Sequence, residues 1–212
     1  ILPRILIEPS HLFLNKVLGK QNPFTIPNFD YNGRDINFYR DLHKPSFNLT
    51  KNQIKKCEDI LLLHNIDIRK IKYVCLFNRD DAYLNSFKHK KNWYYLSHHN
   101  YKIDKFLLAA NALNKKNIYV FRMGAKVEEK FGENNPMIID YANLSIRSEL
   151  MDIYLASKCL FAIGTGTGAI GVAEIYRKPI LDLNANLHHM LTYLKNCIML
   201  SKHYYSKRLK RN

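Results

Sequence analysis

Residues 147–184, RSELMDIYLASKCLFAIGTGTGAIGVAEIYRKPILDLN, constrain the fold of this chain more than any other stretch. Their pattern predicts helix, strand, glycine-threonine turn, helix and strand. Leu150, Ile153, Tyr154 and the pair Ala156/Ser157 fall at helical spacing, and the apolar run 159–163 has the length of a fully buried parallel strand. At that strand's carboxyl end, Gly164-Thr165-Gly166-Thr167-Gly168 would let the backbone approach a ligand closely. A helix starting at once would turn its unpaired N–H groups and positive dipole end to the same point, which predicts an anion site. Gly166, Gly168 and Gly171 complete G-x-G-x-x-G, but late in the chain and without an acidic residue about 20 positions further on to hold a ribose, which argues against NAD. Threonine hydroxyls interleaved with glycines suit a phosphate or diphosphate. The competing reading is a tight turn in which glycine serves packing alone.

The 212 residues suffice for one large domain with a sizeable core. Beginning Ile1-Leu2-Pro3-Arg4, the chain reads as a piece of a longer protein. No apolar run approaches the about 18 residues of a membrane span. The formal net charge of +15 implies an anionic partner: nucleic acid, an acidic membrane or a phosphorylated small molecule. The basic residues are scattered, at Lys55-Lys56, 88–91, Lys115-Lys116 and 207–211, as solvated faces would be. Cys57, Cys75, Cys159 and Cys197 form no C-x-x-C pair and no metal-ligand spacing; Cys75 and Cys159 lie in expected buried strands. A reducing cytoplasmic setting and no metal site are expected.

Residues 1–48 are punctuated by prolines, with a short strand at 1–8 and a helix at 11–19; they read as the trailing part of a preceding domain and a linker. From Thr50, a capping residue, apolar positions recur at helical spacing to residue 65. A strand follows at 72–77. The long stretch 80–101, carrying Tyr83, Trp93, Tyr94, Tyr95, His98 and His99, is expected as a binding loop. The helix 103–116 should turn Phe106, Leu107, Ala110 and Leu113 inward, and strands are expected at 117–123, 137–141 and 179–183. Residues 49–212 thus predict an open, parallel Rossmann-like α/β sheet with helices on both faces. Ligands bind such sheets beyond the strands' carboxyl ends. Those ends carry Arg79-Asp80, Arg122-Met123-Gly124, Asp140-Tyr141 and the 165–168 turn. Two arginines beside a turn of amides and hydroxyls are what a diphosphate requires, because a guanidinium grips two oxygens at once.

These strand ends, with Ala82-Tyr83-Leu84, Arg147-Ser148, Met151-Asp152-Ile153-Tyr154-Leu155, Lys158-Cys159 and Arg177-Lys178-Pro179-Ile180, carry a resemblance. From residue 50 to 205 the chain resembles a family of bacterial surface-polysaccharide glycosyltransferases, distantly similar to fucosyltransferase-like enzymes of the two-domain GT-B type. The resemblance implies the donor-binding, C-terminal half of such an enzyme, without metal or other cofactor. Its partners would be a nucleotide-diphosphate sugar and a glycan or lipid-linked acceptor, with peripheral contact to an acidic membrane and no nucleic acid. Arg79 would grip phosphate, and Arg122, Gly124, Asp140, Tyr141, Asp152, Thr165, Gly166, Thr167 and Gly168 would complete the donor site. Related transferases often place a histidine two residues before that arginine; here Phe77 stands there. Asp80, Asp81 and Glu174 are then the carboxylates that could deprotonate an acceptor hydroxyl. His98 and His99 read as polar loop residues, and His188 and His189 lack metal spacing. The donor half alone should bind without turnover, since GT-B chemistry needs both domains.

Two other functions compete. A nucleotide-sugar epimerase would share the fold and need no acceptor. A basic nucleic-acid-binding protein would show aromatic residues among lysines on an open sheet, which a sheet covered on both faces does not offer.

Overall fold

The computed structural model describes residues 16–17, 42–45, 47–87, 94–132, 135–185, 196–203, 205 and 208–210. The chain divides into two compact units, Ile1–Ile36 and Asn37–Asn212. In the first, only Lys16 and Val17 are described, both helical; the strand expected at 1–8 lies outside the described residues, as do His188 and His189. All elements below belong to the second unit.

Its centre is a six-stranded sheet: β1 Lys72–Phe77, β2 Ile118–Met123, β3 Ile138–Ile139, β4 Ala162–Gly164, β5 Ile180–Ala185 and β6 Cys197–Ser201. Every neighbouring pair is parallel and the order is β3-β2-β1-β4-β5-β6. This is the Rossmann-like open α/β sheet, in which the chain leaves β1 toward one edge and returns beside it at β4. The switch point therefore lies between the carboxyl ends of β1 and β4, where Phe77 stands opposite Gly164 and Gly164 opposite Asp182.

Alternation along β1 shows how both faces are covered. Tyr73, Cys75 and Phe77 enter one core with Phe121, Met123 and residues of α1 Lys51–Leu63, α4 Glu149–Lys158 and α5 Gly171–Ile175. Val74 and Leu76 enter the opposite core with Val120, Ile103, Phe106 and Ala110, the last on α3 Leu107–Asn114. Successive side chains of a strand point to opposite faces, so helices on both sides follow from β1 being apolar at every position but its first. Among the described residues, no helix is long and apolar enough to cross a membrane.

Local chemistry sets the boundaries. Thr50 caps α1 through a capping box: its hydroxyl accepts from Gln53 N–H at 3.3 Å, and Gln53 Oε1 accepts from Thr50 N–H at 2.8 Å. Ser148 caps α4, accepting from Met151 N–H at 3.2 Å, with Glu149 and Asp152 complementing the first turn. The expected helix at 103–116 begins instead as a 3-10 turn, Ile103–Phe106, before α3. That tighter winding rotates the buried stripe onto Ile103, Phe106 and Ala110, leaving Leu107 exposed and Leu113 half-buried. Asn117, at φ 58°, then turns the chain into β2.

Three expectations need correction. Residues 80–101 are not simply a loop: they hold α2, Ala82–Phe87, and a 3-10 turn, Tyr94–His99. The strand expected at 159–163 is Ala162–Gly164, because Cys159 is the C-cap of α4 and its thiol donates to the Ala156 carbonyl at 3.2 Å. The edge strand β6 was not anticipated; a five-residue run exposing Ile198 and Leu200 offers no strong pattern.

Candidate functional site

The glycine-threonine turn lies at the switch point. Thr165 N–H donates to the Phe77 carbonyl at 3.2 Å, and the buried Thr165 hydroxyl accepts from Arg79 N–H at 3.0 Å. Arg79 returns across the gap, donating from Nη1 to the Gly166 carbonyl at 3.4 Å, while its Nε is buried without a hydrogen bond among the described residues. A buried donor aimed at no protein acceptor marks a place for an acceptor from elsewhere. Gly166 sits at φ 65°, a left-handed conformation that any side chain would strain.

The glycines separate the two readings of the turn. A Cβ on Gly164 would lie 2.3 Å from Ile170 Cδ1, so Gly164 is there for packing. A Cβ on Gly168 or Gly171 would meet nothing within 4 Å, and packing does not account for either. The expected helix directly after the turn is a 3-10 turn, Gly168–Ile170, followed by the five residues of α5. It ends where Arg177 adopts φ 57° and Lys178 N–H donates to the Ala173 carbonyl at 3.0 Å. So short a helix carries little macrodipole, and the turn's own amides and Arg79 must supply the positive potential.

Two residues outside the expected set join this crevice. Asp182, on β5 level with Gly164, is 5% exposed, and its carboxylate accepts from Gly166 N–H. Burial, with Glu174 adding a like charge, pushes its carboxyl up to about 6 against that hydrogen bond; Oδ1 has no hydrogen-bond partner among the described residues. Its signal in the sequence was an acid inside the apolar run Ile180-Leu181-Asp182-Leu183. His99 is the second: its Nδ1 is the sole described atom within 4 Å of a Cβ built on Gly166, at 3.9 Å. Its 3-10 turn is tied to β1's end by Tyr101 N–H donating to the Arg79 carbonyl at 3.0 Å and Asn78 Nδ2 donating to the Tyr101 carbonyl at 2.7 Å.

The other expected residues fall into separate clusters. Arg122 is wholly buried, and donates to Asp140 Oδ1 at 3.2 Å, Asp80 Oδ2 at 3.4 Å and the Glu129 carbonyl at 3.0 Å. Asp80 also accepts from the Ala82 and Glu128 amides, and Asp140 from Phe131 N–H and Asn143 Nδ2. These three residues knit strand ends together, and Asp80 also lines the cavity beside Asn78 and Asn100. Tyr141 is fully buried, its hydroxyl bonded to the Ser148 backbone, and its pKa is pushed up by burial. Asp152 pairs with Arg147 at 2.7 Å. Gly124 is required by packing, since a Cβ there would meet Val127 Cγ1 at 2.7 Å. Thr167 and Gly168 lie partly or fully exposed in the turn, and Glu174 is close enough to Asp182 to raise its carboxyl. Asp81 Oδ1 is buried without a hydrogen-bond partner among the described residues. Among the described residues, no group of three or more His, Cys, Asp or Glu is placed to hold a metal ion.

Beside Asn78 and Asn100, a cavity of about 170 Å³ opens against Asp80, Glu128 and Glu129, with Lys102 as the one basic residue in its lining. It is acidic: burial raises the Glu128 carboxyl, and Asp80, Asp81 and Glu129 raise it further. Asn78 Oδ1 and Asn100 Oδ1 are both buried without a hydrogen bond among the described residues. Its acceptors suit hydroxyl donors and repel phosphate, whereas the Arg79 side of the crevice has the opposite preference.

Thr165 supplies a test of this geometry. Thr165→Val keeps the shape but strands the Arg79 amide, so stability should fall by about 1–3 kcal/mol. Urea titration measures it, and an unchanged midpoint would mean that the Thr165 hydroxyl does not hold the Arg79 backbone.

No family model matches the chain, nor does any curated protein or solved structure.

Proposed function

We propose that the domain holds the diphosphate of a nucleotide-linked sugar at the switch point, as the donor half of a metal-independent GT-B glycosyltransferase acting in surface-polysaccharide synthesis. The observation that carries this reading is Arg79 meeting the Gly166 turn between β1 and β4, with its Nε lacking a hydrogen-bond partner among the described residues and Gly168 and Gly171 facing open space. A guanidinium so placed stabilises a departing diphosphate, where negative charge grows as the anomeric C–O bond breaks. The acidic cavity beyond Asn78 takes the sugar's hydroxyls, which need acceptors. The attacking acceptor hydroxyl must lose its proton. Asp80 has its oxygens engaged by Arg122 and two amides; Asp81 and Glu174 are the other two candidate carboxylates.

Thermal shift with GDP, UDP, CDP and dTDP tests the reading. Ligand that binds only the native state stabilises it by about 2.7 kcal/mol at 100 times its dissociation constant. At least one of the four should raise the melting temperature, and Arg79→Ala should weaken its binding by about 1.5 kcal/mol, roughly tenfold. No shift with any of them, or an equal shift in Arg79→Ala, would count against it. Product analysis separates the epimerase, which converts the donor without an acceptor.

A further inference from the structure

Resting on that reading, we infer that His99 is a ligand-contacting residue of the crevice, and that it takes up a proton when a diphosphate binds beside Arg79. The geometry comes from both sides of the switch point. His99 Nδ1 faces Gly166 across the open side of the turn, 3.9 Å from where a Cβ would stand. The 3-10 turn that carries it is held against β1's end by the backbone bond from Tyr101 to Arg79. A third strand end joins them, because Lys202, just past β6, donates from Nζ to the His98 carbonyl. An anion lying on the Gly166 turn within reach of Arg79 is therefore within reach of the His99 ring.

The charges around His99 give the sign. His98 lies against it, 4.0 Å between centroids with the rings tilted by 42°, while Arg79 lies on the β1 side and Lys202 on the β6 side. Burial first, then these three cationic or titratable neighbours, lower its pKa. The ring is thus mainly neutral near neutral pH without ligand. A diphosphate reverses the local potential, favouring the imidazolium, so binding and protonation are linked. Affinity should be highest at low pH and fall as pH rises through the ligand-bound pKa of His99. Asp182, behind the turn on the Gly166 amide, is the other titratable group at the turn and serves as the control.

Calorimetric titration of the full chain with the best-binding nucleoside diphosphate, in two buffers of different ionisation enthalpy at about pH 7.5, reads the proton directly. The wild type should take up a fraction of a proton, and its affinity should fall from about pH 6 to about pH 8. His99→Gln should bind more weakly, with no uptake and a flattened pH profile; Asp182→Asn should retain the uptake. Binding without uptake, uptake that survives His99→Gln, or uptake lost in Asp182→Asn instead, would overturn the role of His99 and leave the donor reading standing. No binding of any nucleoside diphosphate or of pyrophosphate overturns both. Circular dichroism on each variant confirms that it is folded before titration.

Discussion

Arg122→Ala should cost about 3–5 kcal/mol of folding stability, a large share of the roughly 5–15 kcal/mol available to a domain. The guanidinium is completely buried at the end of β2 and bridges Asp80, after β1, to Asp140, after β3. Removing it leaves two carboxylates, with side chains only 13% and 16% exposed, facing one another without a cation. Arg122→Lys should recover only part of the loss, because one ammonium cannot present the planar fork that reaches Asp80, Asp140 and the Glu129 carbonyl together. If stranded charge is the cause, adding Asp80→Asn and Asp140→Asn to Arg122→Met should restore much of the stability. Urea unfolding of these variants distinguishes the cases. A loss below about 1 kcal/mol in Arg122→Ala would mean the bridge is not structural.

Asp182→Asn should act in the opposite direction and stabilise the protein at neutral pH by about 2–3 kcal/mol. The folded carboxyl stands near 6 against an ordinary value of 3.8, so the native state holds its proton more tightly than the unfolded chain. The stability this proton contributes is complete below 3.8 and is lost as pH rises toward about 6. Wild-type stability should therefore decline across that window, and Asp182→Asn should not. The asparagine can still accept from Gly166 N–H, so the turn keeps its shape. A buried carboxylate that lowers stability is the signature of a residue kept for a task. Equal pH profiles for the two proteins, or a destabilised variant, would contradict the assignment.

The sheet was legible because β1 and β4 are short, continuous apolar runs and β2 is one but for Arg122, a pattern that fits a doubly covered parallel sheet. The turn was legible too, since glycines alternate with threonines at a strand's end. What sequence could not give was pairing across distance. Arg79 and Arg122 close adjacent strands and look alike in the chain, yet one reaches the crevice and the other is sealed between two aspartates. Asp140 and Asp152 were both expected at the donor site, whereas Asp140 holds Arg122 and Asp152 holds Arg147. His99 read as a loop histidine because nothing local shows that the 94–99 turn folds back onto β1 and faces Gly166. Asp182 was passed over for a similar reason: an acid in a strand reads as solvated until the Gly166 turn folds against its carboxylate.

The central claim is the location of the anion site, and amide chemical-shift mapping tests it most directly. Titrating the nucleoside diphosphate that gives the largest thermal shift into isotopically labelled protein should move the amides of Arg79, His99, Gly166, Thr167 and Gly168. The amides of Arg122 and Asp140, in the sealed network, should move little. Shifts confined to the basic residues 207–211, or spread evenly over the lysine-rich surface, would contradict a site at the β1 and β4 switch point.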